Sequence, residues 1–394
     1  MRVLFTCHSA VPHLYPMVPL VWAFHAAGHE VRIAGQSRIL GQVLRTGMPA
    51  VELTGAPQWT EQELRETVTA IYSQGPWPDD WPLHLTGLRP AQRDYLELLG
   101  GRMVRAAEAV VDELAAFARE WRPDMIVYDA AAFAGPVVAD LVGVPGVRYL
   151  FGTATVPRLE IGRAGTAIPE YTRLFADRGL PVSVTPAVTV DPTPPSLRLD
   201  NSPSLNMRYV PYNGPGVVPH WVREHRKPRV CVTWGHTSAQ ALGTQAALPY
   251  WDAINEIASL NVDIIVATTP EQAALAADLP ARVVVGMPLH LILPHCDVLV
   301  QQGGDGTTLT AAALGVPQLA ISRKPDAEIA PGRIVAAGAG IHLRYQELRD
   351  FTDVRSAVTE LLTDPAYTLA ARRLRDEIES QPSPVEVVHR LEEW

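Results

Sequence analysis

The sequence predicts an α/β protein of two doubly wound, Rossmann-like domains facing a cleft, and three observations carry that prediction. At 394 residues the chain exceeds one ordinary core and suits two domains of about 150–200 residues each. Each half alternates short β-rich runs with apolar helical stretches. Between the halves lies a Pro- and Asn-rich segment, residues 191–228, whose DPTPPS, YVPYNGPG and KPR stretches suit a linker with little regular structure.

The elements follow in order. Arg2–Thr6 (RVLFT) is a first strand; after a loop, Met17 to Ala27 reads as an apolar helix that Gly28 stops, and Val31–Ala34 is the next strand. Strand, helix, glycine, strand is a βαβ unit, the building block of parallel sheets. Met125–Tyr128 forms another strand, followed by Asp129, a helical run to Gly143 and the strand Val147–Leu150. In the second half the strands are Arg229–Thr233, Val262–Ala267, Val283–Val285, Val298–Gln301 and Gln318–Ile321. Helices fall at Trp251–Ser259 and Thr307–Leu314. Residues 57–90, rich in Trp and Pro, break the rhythm, as insertions that cover a ligand often do. The C-terminus from about Leu369 is helical with a break at Gln381–Pro384. The resulting limits are 1–205 and 229–375 for the domains, 206–228 for the linker and 376–394 for the terminal helical segment.

Composition narrows the function. With 47% apolar and 19% charged residues the chain is globular, not disordered. A net charge of -9 argues against nucleic acid as partner, and the densest basic stretch, Arg372–Arg375, sits among acids as a solvated helix face. Cys7, Cys231 and Cys296 are odd in number, far apart and form no CxxC pair, which fits buried thiols in a reducing compartment. The apolar stretch of MRVLFTCHS is too short for a signal peptide, and no run of 18 apolar residues occurs. A soluble, cytoplasmic protein with no membrane partner is expected.

Gln301-Gln302-Gly303-Gly304-Asp305-Gly306-Thr307-Thr308 follows a strand and opens a helix. Its glycines let the backbone approach a ligand, its threonines bring hydroxyls, and free N–H groups at a helix start favour an anion. A plain strand-to-helix turn with Thr capping is the alternative. No GK[ST] follows, so this is not a Walker A loop. The glycines are also too bunched for a dinucleotide fingerprint, and the first βα loop (CHSAVPHLYP) has none.

The stretch Met287–Gln318, MPLHLILPHCDVLVQQGGDGTTLTAAALGVPQ, resembles the donor-binding signature of inverting GT-B fold antibiotic glycosyltransferases, typically V-P-L/Q…LLPHCD…HHGG-x-G-T-T…GVPQ. The likeness covers most of the chain: Val21–Val31 (VWAFHAAGHEV) and the linker RYVPYNGP carry it too. It is strongest toward actinobacterial transferases that decorate macrolides, spinosyns and enediynes such as calicheamicin. The resemblance implies a TDP- or UDP-activated (deoxy)sugar donor, a hydrophobic polyketide-type aglycone acceptor, no bound cofactor, and a C-terminal helix that packs back on the first domain. It leaves the oligomeric state open, a homodimer included. Where relatives carry two histidines this chain has Gln301 and Gln302, and an amide donates a hydrogen bond but cannot become cationic.

By the same resemblance His13, in the loop before a helix, is the catalytic base, and Asp129, at the end of its strand, orients it. An alcohol needs a base to become a nucleophile, imidazole has a suitable pKa, and a helix start disfavours its protonation. Alternatively His13 packs in its loop and Asp129 caps the next helix; His8 is a rival base. The diphosphate falls to Gln302, Gly303, Gly304, Gly306, Thr307 and Thr308, with Gly235, His236 and Thr237 beneath it. Met287 and Leu289 match the nucleobase site and Asp326 the sugar site. No D-x-D or HExxH occurs, so the leaving charge is expected to be met without a metal. Tyr72, Trp77, Trp81 and Phe151 offer flat apolar surface for the acceptor, though each also suits packing within its own domain. A nucleotide-sugar 2-epimerase of the same fold and a non-catalytic nucleotide-binding partner protein are the competing functions.

Overall fold

The structure, a computed structural model, describes residues 1–57, 60, 62–63, 66, 70, 77–153, 158–162, 165–199, 202–224, 227–235, 248–323 and 326–394, and leaves undescribed the side chains of residues 248, 249, 271, 275 and 326. The chain forms two compact units. The first holds Met1–Thr193, Asp200–Arg208 and Gln381–Trp394; the second holds Pro194–Leu199 and Tyr209–Ser380.

In the first unit seven parallel strands lie in the order β3-β2-β1-β4-β5-β6-β7. These are β1 (Arg2–Thr6), β2 (Glu30–Gln36), β3 (Ala50–Leu53), β4 (Met125–Asp129), β5 (Gly146–Tyr149), β6 (Val188–Asp191) and β7 (Leu205–Asn206). Parallel strands need crossovers, which cover both faces, so the strands are apolar throughout. In β1, Leu4 joins a core with Ile126, Tyr128 and Phe175, while Phe5 meets Phe24 edge-on at 5.9 Å on the opposite face. Between β1 and β2 run a one-turn helix α1 (Val11–Leu14) and α2 (Val18–Ala26). The order reverses between β1 and β4, and loops leaving the carboxyl ends of strands at such a switch point frame a crevice.

The second unit repeats the plan with six parallel strands, β10-β9-β8-β11-β12-β13. They are β8 (Arg229–Thr233), β9 (Asp263–Thr268), β10 (Arg282–Val285), β11 (Val298–Gln301), β12 (Gln318–Ser322) and β13 (Gly340–Arg344). Val230, Val232, Val298 and Val300 face one core, and Cys231, Ile265 and Leu299 face the other. The switch point here lies between β8 and β11, beside Gly235 and the glycine loop. The chain ends in a helix (Pro384–Leu391) that packs on α2, and His29 Nε2 lies 2.7 Å from Glu392. Among the described residues no helix is long and apolar enough to cross a membrane.

Three features depart from the sequence expectation. Segment 191–228 begins inside β6 and contains β7 and two 3-10 turns, Pro195–Leu197 and His220–Arg223. Strands β3, β6 and β13 add to those expected from the sequence, and β3 carries no strong apolar alternation. The glycine-loop helix starts two residues early, at Asp305, because Gly304 serves as its N-cap.

Candidate active site

In the first unit the two residues expected to act together are in contact. His13 Nδ1 lies 3.0 Å from Asp129 Oδ1, joining α1, the one-turn helix after β1, to the end of β4 across the switch point. Asp129 is fully buried and His13 is 18% exposed at its side chain. An ionised carboxylate only accepts, so Nδ1 donates and the neutral ring keeps an acceptor lone pair on Nε2, the arrangement a general base requires. Asp129 also accepts the Ala131 N–H at 2.8 Å and the His8 N–H. Burial alone pushes this carboxyl up; the His13 charge and hydrogen bond, with the His8 charge and the Ala131 N–H, outweigh it and hold Asp129 below its ordinary value.

His13 sits in the one-turn helix α1, ahead of a 3-10 turn (Tyr15–Met17) and α2. Pro12 is tolerated there because its missing N–H belongs to the first turn. His8 packs edge-on to His13, ring centroids 5.0 Å apart, and burial followed by the His13 charge brings it down to about 4.

The expected acceptor aromatics divide. Phe151 packs on the His13 ring with centroids 4.4 Å apart and lines a cleft of about 830 Å³ in the same unit, together with Ala131, Leu150, Arg148 and Trp394. Trp77 and Trp81 are only 4% and 3% exposed; their rings meet at 4.7 Å, with Tyr95 beside Trp77. They form a buried cluster, not the open surface expected of them, because two indoles gain more from mutual burial than from water. Tyr72 lies outside the described residues.

In the second unit the glycine loop joins β11 to the helix Asp305–Ala313. Gly303 takes φ +92°, and a Cβ there would stand 2.0 Å from the Ala327 carbonyl oxygen, so only glycine fits. The first intrahelical bond is Thr308 N–H to Gly304 O, which leaves the Gly306 and Thr307 N–H groups ahead of the hydrogen-bonded ladder. Asp305 opens the helix and its charge favours the dipole already.

The glutamines have distinct tasks. Gln301 is fully buried: its Oε1 accepts the Gly303 N–H at 2.8 Å, and its Nε2 donates to Thr308 Oγ1 at 2.9 Å and Gln318 Oε1 at 3.1 Å. Gln318 Nε2 in turn reaches Thr308 O. This network fixes the loop from below and engages the Thr308 hydroxyl that was expected to meet phosphate. Gln302 lies over Gly235, where a Cβ would stand 2.2 Å from its Nε2, and its Oε1 is buried with no partner among the described residues. Gly235 itself takes φ +69°.

Met287 occupies the turn after β10 and Leu289 begins the short helix Leu289–Ile292; both pack on the core around Ile265 and Ile292. Asp326 begins the helix Asp326–Ala336, its side chain outside the described set, and His236 and Thr237 also lie outside it. Sequence reasoning missed Gln301 and Gln318 as a buried pair, the backbone role of His8, and the linker residues Tyr209 and Asn213. The Tyr209 hydroxyl stands 3.2 Å from Thr310 Oγ1 and 3.3 Å from Gly306 O. Only the YVPYNGPG text hinted at the last two. Among the described residues no group of three or more His, Cys, Asp or Glu could hold a metal.

Residues 22–235 match the family model "Erythromycin biosynthesis protein CIII-like, N-terminal domain", and residues 252–394 match its C-terminal domain. The 10-deoxymethynolide desosaminyltransferase of Streptomyces venezuelae is 33% identical, over 100% of this chain and 96% of that protein. Aklavinone 7-beta-L-rhodosaminyltransferase of Streptomyces galilaeus is 35% identical over 100% and 95%. Spinosyn rhamnosyltransferase SpnG, solved with thymidine diphosphate and also with spinosyn aglycone, superposes with a TM-score of 0.83 at 29% identity over the full length of both chains.

Proposed function

The chain belongs to the erythromycin biosynthesis protein CIII-like family and is a TDP-sugar glycosyltransferase of antibiotic biosynthesis with the GT-B fold, and from that premise we propose a single-displacement, inverting transfer to a polyketide-type hydroxyl with His13 as general base. The observation that carries this reading is the His13–Asp129 hydrogen bond at the switch point of the first sheet. Asp129 holds the Nδ1–H tautomer, Nε2 takes the acceptor hydroxyl proton, and the buried carboxylate stabilises the imidazolium that results. The oxygen so activated attacks the anomeric carbon as the bond to the diphosphate breaks on the opposite face, which inverts the centre.

TDP leaves as an anion. Its diphosphate rests on the Gly304, Gly306 and Thr307 backbone at the start of a nine-residue helix, where the dipole supplies roughly +0.5 charge. Gln302 adds a neutral amide donor, so helix and backbone carry the electrostatic share, without a metal. The base packs at Met287–Leu289, the sugar lies toward Asp326, and the acceptor lies against Phe151 in the 830 Å³ cleft, a volume within the usual range for such ligands. Product analysis tests this: a glycoside of anomeric configuration opposite to the donor, formed at the parent rate in excess chelator, is expected. Retained configuration, or activity lost to chelator and restored by added metal, would overturn it.

A further inference from the structure

The linker does more than connect. After Tyr209 the chain passes Asn213, turns at Gly214 and runs so close to the nucleobase segment that a Cβ on Gly216 would stand 2.6 Å from Pro288. Asn213 Oδ1 accepts the His290 N–H at 3.1 Å, and its own N–H donates to His290 Nδ1 at 3.2 Å. Its Nδ2 donates to Thr310 Oγ1 at 3.2 Å, one turn beyond the phosphate-facing N–H groups, and Thr310 Oγ1 donates to Gly306 O at 2.6 Å. One side chain therefore bridges the helix that follows Met287 and the helix that begins at the glycine loop. Those elements belong to different crossovers of the sheet, one leaving β10 and the other leaving β11.

From this bridge we infer that Asn213 is a positioning residue for the nucleotide donor, setting the span between the nucleobase segment and the diphosphate cradle. The inference rests on the donor reading above. A nucleoside diphosphate engages both segments at once, so its affinity exceeds that of its parts only while their spacing matches the ligand. Tyr209 supports the clasp from the same linker, its hydroxyl pushed up to about 12 chiefly by burial.

The test compares TDP, thymidine and inorganic pyrophosphate by calorimetry on the full chain. Asn213→Ala is expected to weaken TDP about tenfold while thymidine and pyrophosphate each change by less than about twofold, since each half-site stays intact. Thr310→Val keeps the Asn213–His290 bonds and removes the acceptor on the glycine-loop helix without a change of charge, so it should give the same split and carries the test if the alanine variant does not fold. Unchanged TDP affinity in the variants, or proportionate weakening of all three ligands, would overturn the inference. A parent chain that binds no TDP would overturn the donor reading beneath it.

Discussion

Asp129 accepts hydrogen bonds from His13, the His8 N–H and the Ala131 N–H in a fully buried position. Replacing it with Asn keeps the shape but removes the charge that stabilises the imidazolium and sets an amide NH2 against one of the three N–H donors. Turnover should fall on the order of 10³-fold with TDP affinity unchanged, measured by initial rates and calorimetry. His8 gives a stability prediction of definite sign. Its folded value, about 4, lies below the ordinary 6.5, so between those values the unfolded chain binds a proton that the folded chain refuses. That share of stability is complete above about pH 6.5 and is lost as pH falls toward about 4. His8→Gln should therefore lose less Tm than the parent between pH 7 and pH 5, and equal losses would contradict the burial argument. The pairing of His13 with Asp129 was expected from family resemblance alone. Nothing in their separation of more than a hundred positions states that β1 and β4 are neighbours, which is a property of the sheet.

At the scale of elements, the glycine loop was the most legible part of the chain. Strand, glycines and helix follow one another locally, and local order is what a sequence displays. Its supports were not legible, since Gln301 and Gln318 meet only because β11 and β12 pair, with Leu299 opposite Gln318. Trp77 and Trp81 illustrate the opposite limit: composition marks an aromatic segment but does not say whether its rings face water or one another. Strands β3 and β7 at the sheet edges, and β6 between β5 and β7, are short, so periodicity had little length to work with. The loop yields a direct prediction. Gly303→Ala forces a positive φ on a residue with a Cβ and drives that Cβ into the Ala327 carbonyl. Strain on the order of 1–3 kcal/mol should move the loop and abolish the TDP-induced rise in Tm. A variant stabilised by TDP as much as the parent would show that the loop does not hold the phosphates.

At the scale of the molecule, the chain closes on the unit where it began. Ser383 and Glu386 form a capping box that starts the last helix, and its Val387, Val388 and Leu391 are fully buried. Burial of such side chains contributes about 1.5–3 kcal/mol each as an upper bound, comparable together to the stability of a whole domain. Deleting residues 382–394 should leave the first unit unable to hold its fold, read as rapid proteolysis within residues 1–193; an unchanged digestion pattern would contradict this. Two parallel sheets were legible from the repeated strand–helix rhythm, whereas the return of the C-terminus came from resemblance only. The proposed transfer turns on His13 as the proton acceptor. The most direct measurement is the single-turnover transfer rate of His13→Ala beside its TDP affinity. The rate is expected to be lower by about 10²–10⁴-fold with TDP bound as in the parent, and a variant that transfers sugar at the parent rate would contradict the role of His13 as base.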